Sequence, residues 1–191
     1  VINIADEVMT GFGKTGKNFA SEFMPTMPDI ICLSKSLTGG LVPMAITSCT
    51  EKIYNAFLSS KMENGFFHGH TYSANPTSCT AAIASIELLM SEEIQNSIDR
   101  IKASHKSFIE KINDHPKVKD TRQQGIILAI DFNIETDRYG DLRYKLFDFY
   151  MNKGVYLRPL GNTVYILAPY IISNEQLSKI YNTIEQSFDI I

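Results

Sequence analysis

Two residues near the start of the chain have the types and the setting for covalent chemistry. Asp6 closes the apolar run Val1–Ala5, and Lys35 follows the run Ile30–Leu33 and Ser34. Short apolar runs bounded by Gly and Pro read as buried strands of a parallel sheet. Open α/β sheets place their ligands at the carboxyl ends of such strands. A carboxylate and a primary amine presented there suit a cofactor with a pyridine nitrogen and an aldehyde. Pyridoxal phosphate needs a lysine to condense with its aldehyde and an acid to keep its ring nitrogen protonated. Singly, each residue has an ordinary reading: a solvated lysine after a strand, or an aspartate turning the chain. Val8, two residues past Asp6, lies on the same side of an extended chain, where it packs on a cofactor ring or simply on core.

Three further places hold candidate chemistry. His68-Gly69-His70-Thr71 has the H-x-H pattern of a metal site, but no third or fourth ligand follows at a suitable spacing, so no metal is expected. The stretch Thr10–Gly16, T-G-F-G-K-T-G, lacks the Gly-Lys-Ser/Thr ending of a phosphate loop and is assigned no phosphate. Arg158 ends a short apolar run beside Pro159 and Gly161, and its planar fork of donors suits a substrate carboxylate. A surface arginine is the plain alternative. Tyr165 follows on the adjoining strand, where a half-buried structural tyrosine is equally ordinary.

Taken together, I-A-D-E-V-M-T-G-F-G-K-T-G-K and P-D-I-I-C-L-S-K-S-L-T-G-G resemble the class III, fold-type I aminotransferases. The later R-P-L-G-N-T-V-Y-I-L-A-P-Y-I-I is similar to the branch of that family serving biotin synthesis. The resemblance covers essentially all 191 residues but only the C-terminal half of such an enzyme. It implies an α/β fold: the C-terminal part of the cofactor-binding large domain, followed by a small α/β domain. It also implies a pyridoxal-phosphate enzyme in which Lys35 is catalytic and Asp6 faces the ring nitrogen. Thr71, with the backbone at His70, would reach the cofactor phosphate of the neighbouring subunit, and Gly69 its substrate. Arg158 and Tyr165 would meet the substrate itself. The implied assembly is a homodimer with shared active sites, acting on a small-molecule amino donor and a keto acceptor. Two departures stand out: His70 occupies a position that is more often Pro, and Ala168-Pro169-Tyr170 replaces Pro-Pro-Tyr. Neighbouring readings are a broader ω-amino acid transaminase, an aminomutase, or a silent fragment that only folds and dimerises. The family's phosphate-gripping turn and ring-stacking aromatic would lie upstream of Val1, so the 191-residue stretch alone is expected not to transaminate.

The totals agree with an ordinary enzyme. Hydrophobic residues make up 44%, charged residues 20%, and the net charge is −3, which points to neither nucleic acid nor a membrane surface. No signal peptide or membrane-length apolar run is present, so a cytoplasmic location is expected. Cys32, Cys49 and Cys79 read as buried thiols of a reducing compartment. The chain opens within an apparent central strand, which suggests a preceding segment.

The elements needed to position these residues can be read in turn. Leu41–Ser48 reads as a strand, Glu51–Ser60 as a short helix, and Asn75-Pro76 as the start of a long one with Ala81, Ala82, Ile83, Ile86, Leu89 and Met90 inward. A further helix runs from Ser91 towards Asn113. Beyond His115-Pro116 come a strand pair (118–124 and 125–132), a helix over 142–152, strands at 155–158 and 163–167, and a final helix capped by Ser173. The domain boundary is placed at His115, giving residues 1–115 and 116–191.

Overall fold

The computed structural model describes residues 1–191. Its contacts divide the chain into two units, Val1–Glu92 and Glu93–Ile191. The boundary expected at His115 therefore differs from the break in contacts. The long helix after Ser91 belongs with the second unit, because its buried side chains pack there.

The first unit carries strands β1 (Ile4–Asp6), β2 (Ile30–Leu33) and β3 (Ile46–Cys49) in that order. β1 and β2 are parallel, with Asp6 opposite Cys32. β3 runs antiparallel to β2, so the sheet is mixed rather than parallel throughout. Leu41–Met44 lies outside β3, which is shorter than the apolar run suggested. Within residues 1–191 these strands are less buried than expected. Ile4 is 60% exposed and Ile46 39% exposed, and β2 is half-buried along its length. Helices α1 (Glu51–Asn55) and α2 (Pro76–Met90) accompany this sheet. Cys49 is exposed, and Cys32 and Cys79 are half-buried, not buried as expected.

Helix α2 starts where the sequence marks it. Asn75 accepts hydrogen bonds from the Thr77 and Ser78 amides, and Pro76 takes the first helical position. Its packing is narrower than the six-residue face expected: Ala82 and Leu89 are buried, while Ile83, Ile86 and Met90 remain exposed. The helix leans on the tight turn Lys35–Thr38, where Ser85 Oγ donates to the Ser36 carbonyl at 2.9 Å. Leu37 and Thr38 are buried beneath it.

The second unit is helix α3 (Glu92–Ile112), β4 (Val118–Gln124), β5 (Ile127–Phe132), α4 (Asp141–Asn152), β6 (Thr163–Leu167) and α5 (Asn174–Ser187). The three strands form one antiparallel sheet in the order β4-β5-β6. β5 alternates strictly, with Leu128, Ile130 and Phe132 fully buried, as a sheet covered on one face requires. Each such side chain contributes about 1.5–3 kcal/mol by leaving water. Ile98, Ile101, Phe108 and Ile112 of α3 join that core, and Phe108 stacks on Tyr181 of α5 at 4.3 Å. Helix α5 opens with a reciprocal capping box between Ser173 and Gln176.

Residues 155–158, expected as a strand, form no ladder; only Leu160 bridges to Thr163. The segment is nonetheless extended in its burial pattern. Val155 and Leu157 are buried while Tyr156 and Arg158 are exposed, because one side of this extended segment packs on the core. No helix of the chain is long and apolar enough to cross a membrane.

Candidate active site

Asp6 and Lys35 stand at the carboxyl ends of β1 and β2, on neighbouring parallel strands. Asp6 is exposed and its Oδ1 accepts the Val8 amide at 3.0 Å, so one oxygen turns the chain and Oδ2 is left without a hydrogen bond. The half-buried Val8 follows in that turn. Lys35 begins the turn Lys35–Thr38 with a φ of +46°, a left-handed backbone that non-glycine residues adopt at a cost of about 1–3 kcal/mol. Ser34 braces the entry, its Oγ donating to the Met44 carbonyl at 2.7 Å. The Lys35 amine makes neither hydrogen bond nor ion pair and is open to solvent. Lys14, in the nearby loop, differs: it is half-buried, and burial lowers the pKa of its amine.

Between these elements the structure reveals a carboxylate the sequence reading passed over. Glu7 is 1% exposed. Its Oε1 accepts the Ser21 amide at 2.6 Å, and its Oε2 accepts the Ala20 amide at 3.1 Å and the Thr10 hydroxyl. Burial acts to raise its pKa and is the largest single influence, yet the Thr10, Ser21 and Ala20 donors together outweigh it and hold the group below the usual carboxylate range. Glu7 thus ties the end of β1 to the 3-10 turn Ala20–Phe23 and closes the loop that contains Thr10–Gly16. Gly11 is needed there: a Cβ at that position would lie 2.8 Å from the Glu7 carbonyl oxygen. The available signal was the strand period, which turns Glu7 to the side opposite Asp6.

Residues 68–71 are exposed. His70 Nδ1 accepts the Tyr72 amide at 3.1 Å, and the His70 amide donates to Ser73 Oγ at 3.2 Å. Nothing lies within 4 Å of where a Cβ on Gly69 would be. No group of three or more potential metal-binding His, Cys, Asp or Glu side chains forms in the chain.

Arg158 and Tyr165 belong to the second unit, and the structure brings them together. They line one pocket of about 380 Å³ with Tyr139, Arg143, Tyr144 and Phe147. Tyr165 faces it because β6 buries Val164 and Ile166 on the other side. Arg158 faces it because Gly161, at φ +63°, folds the extended segment back onto β6, with the Leu160 amide donating to the Thr163 carbonyl at 2.8 Å. A Cβ at Gly161 would press within 3.3 Å of Arg138 Cα, so glycine also lets the 138–139 loop close over this corner.

Such a fold, with its amine and carboxylate at parallel strand ends, defines a class, and comparison with known proteins agrees. The chain belongs to the class-III aminotransferases, whose family model (Aminotransferase class-III) matches residues 1–188. Among curated relatives, the adenosylmethionine-8-amino-7-oxononanoate aminotransferase of Synechococcus elongatus is 43% identical over 187 residues, covering 97% of this chain and 44% of that protein. A solved Methanocaldococcus jannaschii enzyme of the same name aligns with a TM-score of 0.85 at 32% identity, covering 97% of this chain and 46% of that one. A Bacillus anthracis aminotransferase aligns with a TM-score of 0.86 at 26% identity, covering 98% and 44%. The chain spans less than half the length of the curated relatives it matches.

Proposed function

We propose that this chain forms part of a pyridoxal-phosphate enzyme that moves an amino group from S-adenosylmethionine to the ketone of 8-amino-7-oxononanoate, giving 7,8-diaminononanoate for biotin synthesis. The observation that carries the reading is the unpartnered Lys35 amine, on left-handed backbone at the end of β2, beside Asp6 at the end of parallel β1. The substrates follow from the names of relatives 33–43% identical to the chain.

The residues fit that cofactor: Lys35 has the nucleophilic amine to condense with an aldehyde, and Asp6 keeps one oxygen for a protonated ring nitrogen. When bound, pyridoxal phosphate supplies an electron-withdrawing ring that takes up the electron pair left on a deprotonated substrate carbon. Lys35 Nζ removes the proton from the nitrogen-bearing carbon of the donor and later delivers one to the former ketone carbon of the acceptor. Asp6 holds the ring end in place through charge. Arg158 orients the substrate by its carboxylate, and Tyr165 walls the same pocket. Thr71, with the backbone of His70, serves the cofactor of a second subunit, and Gly69 leaves room for that subunit's substrate. The enzyme is then a symmetric homodimer working in the cytoplasm. Residues 1–115, including the long connecting helices, are assigned to its large domain and 116–191 to its small one.

Borohydride reduction of the full-length enzyme with pyridoxal phosphate, followed by peptide mapping, labels Lys35 on this reading. Label at Lys14 or Lys17 instead refutes it. Lys14 is the stricter competitor, since burial lowers the pKa of its amine.

A further inference from the structure

The pocket around Arg158 contains a second guanidinium that the reading above does not use. Arg143, in the first turn of α4, is half-buried and lines the same space. Its guanidinium lies over two rings, 5.8 Å from the centre of Tyr139 and 5.4 Å from that of Tyr144. Neither Arg143 nor Arg158 has a carboxylate partner, and no Asp or Glu lines the pocket. Stacking on rings fixes the plane of a guanidinium while leaving its N–H donors for another acceptor. Two positive groups in a pocket walled by Tyr139, Tyr144, Phe147 and Tyr165 make a site for an anion carried on an apolar body.

We propose that Arg143 is a specificity-determining residue, a second carboxylate-recognising group beside Arg158, so that the pocket selects carboxylate-ended substrates at two depths. This rests on the function proposed above, and substrate chemistry explains the pair. An amino acid donor carries its carboxylate on the reacting carbon's neighbourhood, whereas a keto acid of the nonanoate type carries it at the far end of a chain. One pocket must meet both in turn. Guanidinium groups from two elements, the start of α4 and the extended segment before β6, offer an anchor at two positions.

The test uses the complete, cofactor-loaded enzyme and two unreactive probes, nonanoate and its uncharged analogue nonanamide, with binding read by calorimetry. Arg143→Ala weakens nonanoate by roughly tenfold and leaves nonanamide unchanged, and Arg143→Lys recovers only part, lacking the fork. Arg143→Gln, which keeps a planar group on the rings without the charge, gives the same loss and guards against an alanine variant that misfolds. Full nonanoate affinity in both Arg143→Ala and Arg143→Gln, with loss in Arg158→Ala, overturns the role of Arg143 alone. Equal loss of both probes overturns it too, since packing and not charge would then be at work. If Arg158→Ala also binds nonanoate normally, the carboxylate pocket of the proposed function falls with it.

Discussion

At the scale of single residues, the site separates groups that face a ligand from groups that hold them there. Lys35 is set by its backbone: it takes a left-handed φ at the head of a tight turn and is exposed, while Leu37 and Thr38 of that turn are buried. Glu7, next to Asp6, ties the chain just after β1 to the amides of Ala20 and Ser21. Replacing Glu7 with Gln swaps one acceptor for an amide donor that confronts backbone N–H groups inside a buried site. Unmaking hydrogen bonds to a buried charge costs about 1.5–3 kcal/mol. Glu7→Gln is therefore expected to lower stability by about 2 kcal/mol in denaturant titration. The loop Thr10–Gly16 should also become a site of limited proteolysis in the folded enzyme. An unchanged midpoint and an uncut loop would show that Glu7 is not the tie.

Among the elements, the second unit is locked by a buried histidine. His105 of α3 is 0% exposed, with Nδ1 2.7 Å from the Tyr181 hydroxyl of α5 and Nε2 3.1 Å from the Ile126 carbonyl at the β4–β5 turn. A carbonyl accepts only, so Nε2 carries the proton and Tyr181 donates to Nδ1. Burial pushes the His105 pKa down to about 4, the bond to Ile126 opposing only in part. As pH falls from 7, the unfolded chain protonates near pH 6.5 while the folded one resists until about 4. The neutral histidine therefore contributes stability in full above pH 6.5 and loses it progressively on acidification. Between pH 7 and pH 5 the expected loss is about 2 kcal/mol. His105→Gln should flatten this part of the curve, and an identical pH slope in the variant would assign the effect elsewhere.

For the whole molecule, the question is what the exposed apolar surface of the first unit does. Phe66, Phe67 and Tyr72 are exposed by 69–79%, and Leu88 and Met90 by 60% or more. Apolar surface of this kind is a candidate contact face. If Thr71 serves a neighbouring subunit, each site draws residues from two chains. Lys35→Ala and Thr71→Ala are then inactive alone, but a heterodimer of the two carries both lesions in one site and leaves the other intact. Activity should recover to about a quarter of wild type once subunits mix at random and half the dimers are mixed. Mixed dimers with no activity would place both residues in one subunit's site.

Much of this was legible in the linear sequence because it depends on neighbours a few residues apart. Asn75-Pro76 and Ser173 signal their helices through local hydrogen bonds, and the structure starts a helix at each; the strand read over 125–132 forms over Ile127–Phe132. The motif around Asp6 and Lys35 carried the family through residue types and spacing that lie close together in sequence. Other features depend on residues distant in sequence. Residues 155–158 alternate like a strand yet have no ladder partner, a matter of what lies alongside. The chain division at Glu92 follows from α3 packing on β4–β6. For Glu7 the strand period gave only its side of the chain, and Arg143 gave no local sign. One is explained by backbone amides at Ala20 and Ser21, the other by a pocket wall that forms only when α4 and β6 meet. Burial and unpaired charge are properties of what surrounds a side chain, and only the folded chain supplies those surroundings.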